Sequence, residues 1–96
     1  MPEPRAEDIE TVRKKLRFRA WHRGTKEADL MMGRFADEHI SQMDWPLLDQ
    51  FNALLEAEDL DVYNWIIGKE PVPAVYDNEL WALLSQFDFR LPGSGH

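Results

Sequence analysis

Ninety-six residues, 44% of them hydrophobic and 30% charged, have the composition of one globular domain with a single modest core. The absence of cysteine excludes a disulfide framework and any cysteine-based metal site. No apolar run approaches the ~20 residues of a membrane span, and the opening Met-Pro-Glu-Pro-Arg-Ala-Glu-Asp reads as neither a secretory signal nor an acid-poor transit peptide.

The net charge of −7 is unevenly spread. Residues 1–34 hold nine Lys/Arg against six Asp/Glu, a net of +3, and residues 35–96 hold two against twelve, a net of −10. The basic part raises nucleic-acid binding as one reading. The acidic domain as a whole opposes phosphate contacts, and a run of charge is more often a solvated helix face. Nucleic acid is therefore not an expected partner.

In chain order, Pro2 and Pro4 set residues 1–6 apart as a frayed terminus. From about Asp8, apolar residues at Ile9, Val12, Leu16 and Ala20 have helical spacing, and Phe18 and Trp21 widen the apolar side. That helix should stop near His22. The stretch Arg23-Gly24-Thr25-Lys26-Glu27 then reads as a tight turn. Gly24 can take a backbone conformation closed to other residues, Thr25 can cap the next helix, and Glu27 falls in its first turn. A second helix is expected over Lys26–Gln42, with Ala28, Met32, Phe35, Ala36, His39, Ile40 and Met43 on one stripe. Gly33, in mid-helix, suggests a close crossing by a neighbouring helix.

Asp44 should cap a third helix with Pro46 in its first turn and Leu47, Leu48, Phe51, Leu54 and Leu55 toward the core. Asp59 is the expected cap of a short fourth helix, with Val62, Trp65 and Ile66 on one side, Tyr63 and Ile67 flanking them, and Gly68 ending it. Pro71-Val72-Pro73 is a connector. Asp77 is the expected cap of a fifth helix with Leu80, Leu83, Leu84 and Phe87 inward and Trp81 at the edge. Residues 91–96 form a Pro/Gly/Ser tail, expected to be mobile. With no alternating strand pattern, the reading is an all-α, five-helix bundle with short connections, one domain over residues 1–96 with an ordered core of about 8–90. Its predicted centre is Val12, Leu16, Met32, Phe35, Ile40, Leu48, Phe51, Leu55, Trp65, Leu80, Leu84 and Phe87.

Histidines 22, 39 and 96 share no ligand spacing, the serines sit in no nucleophile motif, and no glycine-rich phosphate loop is present. No catalytic residue and no metal site are expected, which turns attention to binding. The corner from Arg23 to Glu27 should display a guanidinium fork, an ammonium, a carboxylate and uncovered backbone.

Arg23-Gly24-Xaa-Xaa-Glu27, followed by Ala28-Asp29-Leu30 and later by Leu54-Leu55-Glu56, Asp59, Asp61, Asn64 and Trp65, resembles the succinate dehydrogenase flavinylation factors. These are the mitochondrial assembly factors with an RGxxE motif and their bacterial counterparts. The resemblance covers about residues 10–88. Two features depart from the bacterial pattern: Leu60 stands where a proline is common, and the segment before the first helix is longer.

The resemblance implies a chaperone rather than an enzyme. It would bind the flavoprotein subunit of succinate dehydrogenase, or of fumarate reductase in some bacteria, and promote covalent attachment of FAD to a histidine there. No cofactor would be held stably by the helper itself. Carried over by position, the partner-binding residues are Arg23, Gly24, Glu27, Asp61 and Asn64. The implied compartment is the cytoplasm of a bacterium, or the mitochondrial matrix where a presequence has been removed, with no membrane insertion. A generic helical adaptor without a flavin role is the alternative.

Overall fold

The computed structural model describes residues 7–87. In order these form α1 (Ile9–Trp21), α2 (Lys26–His39), a 3₁₀ turn (Ile40–Gln42), α3 (Trp45–Leu54), α4 (Asp59–Ile66), a second 3₁₀ turn (Ala74–Tyr76) and α5 (Glu79–Ser85). No strand occurs among the described residues. Residues 1–6 and 88–96, which include both termini expected to be mobile, lie outside them.

Local chemistry places most helix starts. The Asp8 carboxylate accepts from the Thr11 N–H (2.8 Å), the Thr25 hydroxyl from Ala28 (3.2 Å), and Asp44 from Leu47. Each supplies an acceptor to an N–H that the first turn leaves without an intrahelical partner. Two expected caps are displaced. The α5 cap is Asn78, bonded to the Trp81 N–H at 3.0 Å, not Asp77. Helix α4 has Glu58 at its cap position with no side-chain cap bond, and Asp59 is its first helical residue. The Asp59 carboxylate is drawn elsewhere, as described below. The long second helix ends at His39, and its last turn tightens to 3₁₀. At the other end of α4, Gly68 (φ +80°) lets the Lys69 and Gly68 N–H groups return to the carbonyls of Asn64 (2.9 Å) and Trp65 (3.3 Å).

The core forms where the stripes of α1, α2, α3 and α5 meet. Phe35 and Phe51 lie fully buried at its centre with rings edge-on at 5.6 Å, and Phe87 meets Phe35 at the same separation. Truncating either central ring to alanine would cost about 3–5 kcal/mol. Nine of the twelve expected core residues are buried, and Val12, Trp65 and Phe87 pack half-buried around them. Trp81 is buried rather than at an edge, because the connector doubles back and sets Tyr76 beside Trp65, which in turn meets Trp81. Phe18 corrects the reading of α1. It is 63% exposed, stacked flat on the His22 ring at 3.9 Å, and does not widen the apolar face. Trp21 is half-buried and lies against α2, outside the core cluster. Its ring lies over Gly33, so close that a Cβ there would come within 2.1 Å of it. The close crossing is therefore by an indole ring, fixed by its N–H to Asp37 (3.2 Å).

The uneven charge resolves into pairs across the fold. Arg17 meets Asp37, Arg19 meets Glu56, Lys15 meets Glu7, and Arg13 bonds both Glu10 and the Met43 carbonyl. Four of the basic residues of α1 are thus engaged by acids of the chain itself.

Candidate functional site

The corner between α1 and α2 is held from two sides. Gly24 adopts φ +120°, a region closed to side-chain-bearing residues, and nothing lies within 4 Å of where a Cβ would sit. From α2, the Asp29 carboxylate reaches back to accept the backbone N–H of Arg23 (2.5 Å) and of Gly24 (3.2 Å). Asp29 was not singled out from the sequence as a site residue. The available signal was an acid five residues after the turn glycine, in the first helical turn, where a carboxylate can satisfy N–H groups that precede the helix.

Arg23 is not displayed, contrary to the expectation from sequence. Its side chain is 8% exposed and points inward across the corner to the α3–α4 junction. Nε donates to the Asp59 carboxylate (2.7 Å), and the two terminal nitrogens donate to the carbonyls of Leu55 (2.6 Å) and Ala57 (2.7 Å). The planar fork matches these acceptors, two of them carbonyls just past the C-terminal end of α3. This is why Asp59 does not cap its own helix. The two sequence blocks of the motif, 36 residues apart from Arg23 to Asp59, are joined by one guanidinium.

What remains outward at the corner is the Lys26 ammonium and the Glu27 carboxylate, beside an apolar groove. Glu27 is exposed and, among the described residues, makes no hydrogen bond or ion pair. Asp61, exposed in the first turn of α4, is likewise unpaired there, and its position near the helix N-terminus suits a negative charge. Asn64, one turn beyond Asp61, is half-buried, and its backbone carbonyl accepts from Lys69 and Glu70. Between α2 and α4 runs an open groove of about 300 Å³, lined by Thr25, Glu27, Ala28, Met31, Leu60 and Tyr63, with Asp59 at its edge. Trp65, in contrast, turns toward the core. The structure thus links the corner of Gly24 and Glu27 to the start of α4 through Arg23, which acts as a brace, while Asp61 and Asn64 lie further along α4 and do not line the groove. Among the described residues no group of three or more His, Asp and Glu side chains is placed to hold a metal ion.

The described residues thus form a small helical domain with an internally braced corner beside an open groove. The comparisons with known proteins define it further: residues 14–88 match the family described as "Flavinator of succinate dehydrogenase", and the chain belongs to that family. It is 38% identical over 77 residues to the mitochondrial succinate dehydrogenase assembly factor 2 of Dictyostelium discoideum, covering 80% of this chain and 55% of that protein. It is 32% identical over 84 residues to the Aedes aegypti protein of the same name, covering 85% and 52%. To the FAD assembly factor SdhE of Acetobacter pasteurianus it is 36% identical over 69 residues, covering 71% and 63%. The chain spans about half the length of the eukaryotic relatives it matches. No helix among the described residues is long and apolar enough to cross a membrane.

Proposed function

We propose that this protein binds the flavoprotein subunit of succinate dehydrogenase and promotes covalent attachment of FAD to a histidine of that subunit. The observation that supports the reading is the joining of both motif blocks by Arg23, with Glu27 and Asp61 exposed and their carboxylates unpaired among the described residues. The flavoprotein and its FAD supply the reacting groups. The helper contributes position: holding one flavoprotein conformation with the histidine and the flavin aligned lowers a barrier without a catalytic side chain of its own. FAD is accordingly retained by the partner, not by this chain. Arg23 and Gly24 act by fixing the corner, and Glu27 acts by contact.

The test is co-expression of the flavoprotein subunit with wild-type or Glu27→Ala protein, followed by quantification of covalent flavin in the denatured subunit. Because Glu27 sits exposed at a helix start, its loss should cost the fold under about 1 kcal/mol while flavinylation falls sharply. Equal flavinylation by both proteins would reduce the corner to a helix turn and leave the adaptor reading in its place.

A further inference from the structure

Helix α4 is apolar on two opposite faces. Val62, Trp65 and Ile66 point to the core, as the periodicity requires. On the other side, Leu60, Tyr63 and Ile67 follow the i, i+3, i+7 spacing that puts them in one row, and they stay 68%, 45% and 54% exposed. These are three of the five large hydrophobic side chains exposed among the described residues. Single exposed apolar residues are ordinary, but a row of them marks an interaction surface.

The row does not stand alone. Leu60 and Tyr63 of α4 line the groove opposite Glu27, Ala28 and Met31 of α2. Asp61 and Asn64 follow the opposite flank of the row, at neighbouring positions on the helix. The stripe therefore fills the gap between the two groups of candidate contact residues and makes them one surface. Its charge is also defined. Arg23, the one cation of the motif turned toward α4, is consumed internally, while Glu27, Glu58 and Asp61 are exposed and unpaired among the described residues. Lys26 lies a step further round α2 and does not line the groove.

We infer that the α4 stripe and its groove form the apolar centre of the docking surface. The flavoprotein segment seated there would present an aliphatic or aromatic anchor flanked by Lys or Arg. The anchor would enter between Met31 and Tyr63, and the basic groups would meet Glu27 and Asp61. This inference rests on the flavoprotein reading and adds the chemistry of the partner's contact: acid on this chain, base on the other. A partner supplying carboxylates to a displayed Arg23 is the opposite polarity.

The experiment measures binding of the purified flavoprotein subunit to wild type, Leu60→Asp, Tyr63→Asp and Val75→Asp by isothermal titration, at low and high salt. Melting curves accompany each variant. Val75 is exposed on the connector away from the groove and serves as the control. The expected result is at least about tenfold weaker binding for Leu60→Asp and Tyr63→Asp with unchanged melting, as for central anchors of an interface. Val75→Asp should bind as wild type, and all binding should weaken as salt screens the rim charges. Full-strength binding by Leu60→Asp and Tyr63→Asp overturns the stripe and leaves the flavoprotein reading intact. No binding by wild type overturns both. A wild-type dimer that Leu60→Asp dissociates, with flavoprotein binding retained, assigns the stripe to self-association and also overturns the inference.

Discussion

Replacing Arg23 with alanine should damage the fold before it damages any interface. The guanidinium makes three bonds of 2.6–2.7 Å, to the Leu55 and Ala57 carbonyls and the Asp59 carboxylate, from a side chain only 8% exposed. A hydrogen bond with a charged partner contributes about 1.5–3 kcal/mol, and removing one member of a buried pair costs about 3–5 kcal/mol. Asp59 is 28% exposed and water can reach it once Arg23 is gone, so the lower part of that range applies. A loss of about 3 kcal/mol is a large fraction of the roughly 5–14 kcal/mol that a domain of this size possesses. At about 4–8 °C per kcal/mol, the melting temperature should drop by about 12–24 °C. Thermal and urea denaturation followed by far-UV circular dichroism measure this. Amide exchange should show the first openings around the α3–α4 junction. Arg23→Lys should fall between the two, because one ammonium can reach Asp59 but cannot serve both carbonyls. A melting temperature within about 4 °C of wild type would refute the brace and return Arg23 to the surface.

The remaining expectations follow from the same geometry. Gly24→Ala should cost about 1–3 kcal/mol in urea titrations through backbone strain alone, since the added Cβ meets nothing within 4 Å. Gly33→Ala should cost about 1–3 kcal/mol by overpacking against the Trp21 ring 2.1 Å away, and Trp21→Leu in the same chain should recover part of it, so the pair should be non-additive in a double-mutant cycle. The Asp8 carboxyl is held below its ordinary range, chiefly by the Thr11 backbone N–H. A lowered native value means that the cap's contribution is present above the ordinary carboxylate range and is lost as pH falls through the native value. An NMR titration of the Asp8 carboxyl carbon should find the lowered midpoint, and Asp8→Asn should remove that pH response from the first turn of α1.

The helices were legible because the apolar stripes have helical spacing and two of the expected caps stand where they were read. Asp44 and Thr25 cap as read, and Gly68 ends α4 as read. Local patterns could not show competition for a side chain. Asp59 is a good cap in isolation, but in the fold its carboxylate accepts from Arg23, 36 residues earlier, and Glu58 takes the cap position. The same long-range contact reversed the reading of Arg23, since sequence gives the type of a charge but not the direction its side chain takes. Asp77 yielded to Asn78 by one residue, a choice set by how the preceding 3₁₀ turn delivers the chain. Tyr63 and Ile67 were visible as flanking positions. Their exposure, together with that of Leu60, became evident only once Val62 had fixed which face of α4 is inward.

The most direct test of the account is the covalent flavin content of the flavoprotein subunit produced with and without this protein. The subunit is denatured, separated by electrophoresis and read by in-gel flavin fluorescence. The account predicts a flavinylated subunit when the chain is present and little or none when it is absent, with subunit abundance matched between samples. Equal covalent FAD in both would contradict it.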